Sequence, residues 1–371
     1  MKQGVTLRDL GERRIVEELI APRFKRDRDS LILGIGDDCA VLSLPQPDEV
    51  LTLTTDPCPT PVACLLGETD LFHYGWMTVL INVSDLAAMG ARPLGLLVST
   101  VMPEDMMASD YERFLEGLSE ASRKWDCPIV GGNIKDGPAF TATGSCIGAA
   151  RRTELMVRSG ATPGDRVFVV GEMGVFWAAV LKRLGWTRLD EHKELLDNAL
   201  FRPQARLPEG RALAATGGVT ACMDSSDGVI GCLQELALKS QVDVIVDADK
   251  LHPHPAVQAA AADWGADYRK LMLSWGDWQL VFTASESNSD TVAEAVRALG
   301  TPVFAIGSIQ RGTGRVWLNE KGTRHRITNF SSERFSGTSF FTHGIEAYLN
   351  SLKTQPFTEI TDRLDASTEP A

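Results

Sequence analysis

The sequence predicts a two-domain α/β (α+β) protein, on three observations. The 371 residues exceed what one hydrophobic core ordinarily holds. Short β-rich runs alternate with amphipathic helical stretches along the chain. The polar, turn-rich run Arg158-Ser159-Gly160-Ala161-Thr162-Pro163-Gly164-Asp165 interrupts that alternation and reads as an interdomain linker. The expected bounds are 1–155 for an N-terminal domain, 156–350 for a C-terminal domain and 351–371 for a polar, disordered tail.

In chain order, Thr6 to Ile20 reads as a helix, with Thr6 as N-cap and Leu7, Leu10, Ile15 and Leu19 as its apolar stripe. Leu31 to Leu33 reads as a strand that ends in a glycine turn. Val50 to Thr55 is β-rich and ends at Asp56. Phe72 to Met89 carries the clearest helical period, through Trp76, Val79, Leu80, Val83, Leu86 and Ala87, and Gly90 stops it. Asn82 and Asp85 are three apart and share another face. Gly95 to Val101 reads as a strand, Tyr111 to Trp125 as a second amphipathic helix, and Phe140 to Ala150 as a strand. Gly131-Gly132-Asn133 reads as a turn. Past the linker, strands are expected at Arg166–Val170, Val242–Val246, Leu280–Thr283, Val303–Ile309 and Arg315–Leu318. Helices are expected at Phe176–Leu184, Gln204–Ala215, Val229–Lys239 and Thr291–Leu299.

Composition excludes several function classes. A net charge of -12 disfavours a nucleic-acid binder, which needs a basic stripe. There is no run of apolar residues long enough to span a bilayer, and the polar N-terminus has no secretory apolar segment. Seven cysteines without CxxC or Cys/His spacing read as reduced thiols of a cytoplasmic protein. The sequence has no P-loop, no G-x-S-x-G elbow and no H-E-x-x-H.

Four acid-rich segments carry the chemistry: Gly34-Ile35-Gly36-Asp37-Asp38, Thr54-Thr55-Asp56, Asn82-Val83-Ser84-Asp85 and Asp224-Ser225-Ser226-Asp227-Gly228. Taken singly, each has an ordinary reading. Gly36-Asp37-Asp38 suits a hairpin turn, Asp56 a helix cap or turn acid, and Ser226 or Asp227 a helix N-cap. Asp85 is harder to explain that way, because a carboxylate among Leu86, Ala87 and Ala88 needs a partner or a metal. Two carboxylates about 4 Å apart repel by about 4 kcal/mol at an effective dielectric of ~20. Converging acids of this kind call for divalent cations. Mg²⁺ characteristically takes one or two carboxylates plus substrate phosphates, so the reading is a magnesium-nucleotide site.

The run Asn82-Val83-Ser84-Asp85-Leu86-Ala87-Ala88-Met89-Gly90-Ala91-Arg92-Pro93 strongly resembles the thiamine-monophosphate kinase family. So do Gly34 to Asp38, Thr54 to Asp56, Arg158 to Ala161 with Pro163 to Asp165, and Met223 to Gly228. The wider superfamily includes aminoimidazole ribonucleotide synthetase, selenophosphate synthetase and the hydrogenase-maturation dehydratase. The resemblance implies an N-terminal mixed sheet flanked by helices, a C-terminal α+β domain that completes the active site, and a homodimer joined through the N-terminal sheets. It implies Asp38, Thr54, Thr55, Asp56, Asp85, Asp224 and Asp227 as Mg²⁺ ligands, with Asp85, Asp56 and Asp227 the acids on which catalysis depends. Gly132, Asn133, Arg158 and Ser226 would contact ATP. Trp275, Asp277 and Trp278 would form the acceptor turn.

The chain departs from that family where the acceptor binds. Asn133 stands where the kinases carry Asp, which removes one negative charge near a metal; Asp136 is nearby. The acceptor turn reads Trp275-Gly276-Asp277-Trp278-Gln279-Leu280 and lacks the family's glutamate. A substrate-side histidine is replaced around Ala63 and Cys64. Phe340 or Phe341 would supply a C-terminal aromatic. The expected function is ATP- and Mg²⁺-dependent phosphoryl transfer to a small, phosphorylated acceptor, thiamine monophosphate in the parent chemistry, which places the chain in thiamine diphosphate biosynthesis. The rivals are an ATP-dependent cyclase or dehydratase that activates an amide oxygen, and a non-catalytic ATP-binding homologue.

Overall fold

The chain folds as two units, each built on its own sheet. The structure, a computed structural model, describes residues 6–7, 10, 15–24, 31–33, 41–42, 48–67, 70–327, 343–356 and 358–359. Asp38, Phe340 and Phe341 lie outside the described residues.

The first unit comprises Met1–Leu155 and Leu200–Leu207. Strands β1 (Leu31–Leu33) and β2 (Val41–Leu42) form a small antiparallel pair. The main sheet holds β3 (Glu49–Cys58), β4 (Arg92–Met102), β5 (Ile129–Asp136) and β6 (Thr141–Arg151) in the order β3-β6-β4-β5. Only β4 and β5 pair in parallel. A parallel pair needs a crossover, and helix α2 (Ala108–Lys124) supplies it. Helix α1 (Phe72–Ala88) packs on β3, β4 and β6, and α2 packs on α1. That helix pair is held close by two glycines. A Cβ at Gly75 would sit 2.0 Å from the Phe114 carbonyl oxygen, and one at Gly117 would sit 1.9 Å from that of Phe72.

Three expectations for this unit differ from the structure. Gly131-Gly132-Asn133 is continuous strand within β5, because Gly132 lets β5 approach β4: a Cβ there would lie 1.8 Å from the Val98 carbonyl oxygen. Thr6 forms a single bridge with Met107, Leu7 and Leu10 are helical and buried as expected, Ile15–Ile20 is π-helical and Ala21–Phe24 one α-turn; residues 8–9 and 11–14 of the expected 6–20 helix lie outside the described set. Leu200–Leu207, which the sequence reading placed in the second domain, groups with the first. The Trp76 indole donates to the Pro203 carbonyl at 2.9 Å. The Arg202 guanidinium stands 4.5 Å from the Phe72 ring and 5.2 Å from the Trp76 ring, and it also binds Glu120.

The second unit comprises Met156–Ala199 and Pro208–Ala371. Its strands are β7 (Arg166–Val170), β8 (Val219–Asp224), β9 (Val242–Asp247), β10 (Leu280–Ala284), β11 (Val303–Arg311), β12 (Val316–Glu320), β13 (Thr323–Ile327) and β14 (Thr358–Glu359). They lie in the order β14-β13-β12-β9-β11-β7-β10-β8, antiparallel except for β9 with β12. Every residue of β10 is buried, which explains its mostly apolar run; its one polar member, Thr283, bonds the Thr220 hydroxyl at 2.6 Å. Its longer helices are α3 (Val175–Arg183), α4 (Lys193–Phe201), α5 (Leu207–Thr216), α6 (Gly228–Ser240), α7 (Pro255–Trp264), α8 (Ser289–Arg297) and α9 (Ile345–Thr354), of which the end of α4 and the first residue of α5 fall in the first unit's Leu200–Leu207 segment.

The tail expected to be disordered from residue 351 is ordered at its start. Leu352 is 2% exposed, and the buried Lys270 amine donates to the carbonyls of Leu352 (2.9 Å), Lys353 (2.5 Å) and Gln355 (2.7 Å). A cation at the C-terminus of α9 satisfies carbonyls that the helix itself leaves open. β14 then pairs with β13, and residues 360–371 lie outside the described set.

Candidate active site

Strand alternation sorts the acids and hydroxyls of β3. Side chains two apart share a face, so Thr54 and Asp56 lie on one side and Thr55 on the other. The Thr54 hydroxyl donates to Asp85 Oδ2 at 2.5 Å, which joins β3 to the last turns of α1. Thr55 instead bonds the Gly144 carbonyl at 3.0 Å and the Ser145 hydroxyl at 2.8 Å, on β6. The structure thus brings Thr54 and Asp85 together and aims the Thr55 hydroxyl away from them.

Asn82 lies three residues before Asp85 and is 0% exposed. Its amide donates to the Thr78 carbonyl at 3.0 Å, while its buried Oδ1 has no hydrogen-bond partner among the described residues. A buried oxygen without a donor is costly. Here it accompanies the all-oxygen set of Thr54, Asp56 and Asp85. That chemistry fits a hard divalent cation with its bound waters. Among the described residues, no group of three or more His, Cys, Asp or Glu is gathered closely enough to hold a metal alone. A site that shares its ions with substrate phosphates needs fewer protein carboxylates.

Gly132 and Asn133 are exposed on β5, opposite Val98 and Ser99 of β4. A cavity of about 110 Å³ opens beside them, walled by Ile20, Phe24, Tyr111 and Phe114. Near the start of α1, Ala63 is buried, and burial pushes the Cys64 thiol up to about 11, so Cys64 stays protonated at neutral pH.

In the second unit β8 delivers Asp224, which is 1% exposed, to the turn before α6. Ser226 donates to Asp224 Oδ1 at 3.0 Å, and the Cys232 thiol donates to the Asp224 carbonyl at 2.9 Å. Asp227 occupies the N-cap position of α6, yet its side chain makes no capping hydrogen bond. Capping therefore does not account for this acid. The Cys232 thiol is pushed up chiefly by burial; Asp224 and Asp227 add to that, and the exposed Arg158 opposes it. Arg158 thus stands within electrostatic reach of the same turn.

The turn of Trp275 to Leu280 is stitched to this acid turn. Ser225 N–H donates to the Gln279 carbonyl at 2.8 Å, and Gln279 N–H donates to the Ser225 hydroxyl at 2.8 Å. Asp277 accepts from Gly174 N–H at 2.6 Å and from Phe176 N–H at 2.8 Å, capping the start of α3. The Trp275 indole donates to the Tyr348 hydroxyl at 2.8 Å, and the Trp177 indole to the Trp275 carbonyl at 2.6 Å. Sequence reasoning missed Trp177 and Tyr348, since no local signal links them to Trp275. The residues expected at the site divide between units: Thr54, Thr55, Asp56, Asp85, Gly132 and Asn133 belong to the first, and Arg158, Asp224, Ser226, Asp227, Trp275, Asp277 and Trp278 to the second.

Comparison with known proteins follows the same division. The AIR synthase related protein N-terminal domain matches residues 36–150, and the corresponding C-terminal domain matches residues 162–318. Thiamine-monophosphate kinase of Salmonella typhimurium is 33% identical over 300 residues, 78% of this chain and 89% of that protein. The crystal structure of thiamine-monophosphate kinase from Stenotrophomonas maltophilia superposes with a TM-score of 0.70 at 31% identity, covering 82% of this chain and 95% of that one. AaThiL complexed with AMPPCP and TMP superposes at 0.65 and 28% identity, covering 86% and 97%. E. coli HypE, 20% identical with a TM-score of 0.71, shares the fold.

Proposed function

This chain belongs to the thiamine-monophosphate kinase family of AIR synthase related proteins, and on that premise we propose that it transfers the terminal phosphoryl group of ATP to the phosphate of thiamine monophosphate or a closely similar acceptor. The observation that carries the reading is the hard-oxygen set of the first unit: Thr54 bonded to Asp85, beside Asp56 and the partnerless Asn82 oxygen. The relatives support it, and so does AaThiL complexed with AMPPCP and TMP.

Asp38, Thr54, Asp56 and Asp85 would hold Mg²⁺ in the first unit, with Thr55 contributing through its backbone, and Asp224 and Asp227 would hold it in the second. Bound there, Mg²⁺ would neutralise the triphosphate charge that no P-loop lysine is present to meet. Arg158 and Ser226 would bind phosphate oxygens. Gly132 and Asn133 would line the nucleotide, whose base suits the apolar walls beside them. The protein's part is positioning and charge stabilisation of an in-line transfer, with no covalent intermediate.

The outer face of the first sheet supports a homodimer. Leu51 and Leu53 alternate with inward residues of β3 and are 43% and 73% exposed. An edge strand with leucines on its open face favours a second copy of the chain. Among the described residues no helix is long and apolar enough to cross a membrane. The six described cysteines form no disulfide, which fits a reducing compartment, and we assign the protein to the cytoplasm.

Asn133 favours one rival, a homologue that binds ATP without turnover. Phosphorus NMR of the protein with ATP, Mg²⁺ and thiamine monophosphate separates the readings. Kinase activity gives ADP and thiamine diphosphate. Free phosphate with an acceptor that loses oxygen would indicate the cyclase or dehydratase chemistry. Binding without turnover, relieved by Asn133→Asp, would indicate the silent homologue.

A further inference from the structure

Two of the described thiols face each other inside the first unit. Cys127 is 0% exposed, Cys146 is 1% exposed, and their sulfurs lie 3.7 Å apart. Cys58 and Cys232 instead donate to backbone carbonyls. In-line phosphoryl transfer has no use for a thiol pair.

The two sulfurs are anchored differently. Cys146 sits within β6, paired with Thr54 of β3 on one side and Leu96 of β4 on the other. Cys127 stands in the short connection from α2 to β5. The chain turns there through Asp126 at φ +51, in the left-handed region, and the Cys127 N–H closes on the Ser122 carbonyl at 2.9 Å. Disulfide sulfurs lie about 2.05 Å apart, so the connection must bring Cys127 closer while the ladder holds Cys146. Contact with Cys127 pushes the Cys146 thiol well above its ordinary value, and burial and the charge of Asp85 add to that. The pair is therefore inert at rest and reacts when the connection opens. Residues directly opposite in a ladder share a face, so Cys146 lies alongside Thr54, whose hydroxyl holds Asp85.

We propose that Cys127 and Cys146 form a reversible redox pair, joined as a disulfide by hydrogen peroxide and reopened by a dithiol, and that the crosslink slows the chemistry at Thr54 and Asp85. One sulfur attacks the peroxide, whose O–O bond breaks; that sulfur becomes a sulfenic acid and a water leaves. The second sulfur attacks the first, the S–O bond breaks, and another water leaves. Two electrons pass from the sulfurs to the peroxide, and the two thiol hydrogens end in the waters. A dithiol reverses the crosslink by exchange and ends as a disulfide itself. A pair of this kind suits a reducing compartment, where disulfides are transient and sense oxidants. The crosslink is argued from geometry alone; only its effect on turnover rests on the kinase reading.

The experiment treats the full chain with hydrogen peroxide, digests it without reduction and reads linked peptides by mass spectrometry, with Cys127→Ala and Cys127→Ser as controls and Tm measured for each. Wild type should yield a crosslink between Cys127 and Cys146, two hydrogens lighter than the free thiols, and dithiothreitol should remove it. Turnover of ATP with thiamine monophosphate should fall on the order of tenfold to a hundredfold on crosslinking, the scale of an ångström's misplacement at a reacting centre. Dithiothreitol should restore it, and both Cys127 variants should keep their rate through the same treatment. No crosslink between these residues, oxidation of either to a sulfinic acid in its place, or a crosslinked protein as fast as the thiol form overturns the proposal. So does a Cys127 variant that peroxide slows as much as wild type. A reversible crosslink in a protein that never phosphorylates the acceptor supports the redox pair while defeating the kinase reading.

Discussion

Replacing Lys270 with Met removes the donor that closes the C-terminus of α9. The amine is buried, 7% exposed, and meets three carbonyls, those of Leu352, Lys353 and Gln355. A hydrogen bond from a charged donor contributes about 1.5–3 kcal/mol, and the cost of burying the amine offsets much of the sum. Lys270→Met preserves the stem's volume but leaves those carbonyls without their donor. Lys353 is at the surface and Gln355 partly so, hence water recovers part of the loss and the net cost is about 3 kcal/mol. For a unit of this size the Tm falls by about 6–12 °C. The loss should concentrate in α9, because the carbonyls belong to its last turn. Scanning calorimetry reads the shift, and hydrogen exchange across residues 345–355 reads its location. Tyr348 sits on α9 and accepts from the Trp275 indole, so undocking also loosens the turn of Trp275 to Leu280. A shift under about 2 °C, with α9 amides still protected, would refute the role given to Lys270.

Three further outcomes are expected. Asp85→Asn keeps the size of the side chain and an acceptor for Thr54, so Tm should hold, while turnover should fall on the order of 10²–10³-fold or beyond; near-normal rates would remove Asp85 from the metal set. Gly75→Ala forces a methyl to within 2.0 Å of the Phe114 carbonyl oxygen, so α1 and α2 must part at a cost of about 3 kcal/mol, measured by urea denaturation. Burial lowers the pKa of His73 below its ordinary 6.5, against the opposing pull of Asp70. The unfolded chain therefore takes up that proton first: the stability is present above about pH 6.5 and is lost as pH falls towards the depressed folded value. His73→Phe should flatten that part of the Tm–pH curve.

What the sequence disclosed follows the range of the forces involved. Helix α1 was legible because its burial is written in a 3.6-residue period, and Thr54 and Asp85, singled out by residue type alone, are brought together by the fold. Asp277 was expected in the acceptor turn from its local motif; that its carboxylate also caps α3, whose first residues lie about a hundred positions earlier, no neighbouring residue signals. Gly131-Gly132 resembles a turn in sequence, but its glycines serve strand proximity, which depends on Val98 across the sheet. Helix α7 was missed because an alanine-rich run shows little amphipathic contrast; its start is marked by Pro255 and by the His254 ring accepting from Ala256 N–H. The ordered start of the polar tail depends on Lys270, far from it in the chain.

The return of Leu200–Leu207 to the first unit bears on how this protein can be dissected. A fragment ending at Leu155 would lose the acceptor for the Trp76 indole and the guanidinium laid against Phe72, and would bare aromatic surface on the helix that carries Asp85. Recombinant truncation at the obvious boundary would therefore yield a sticky, weakened piece. Grafting the eight-residue excursion onto its C-terminus, or permuting the chain so that the excursion follows naturally, is the way to excise an autonomous first half.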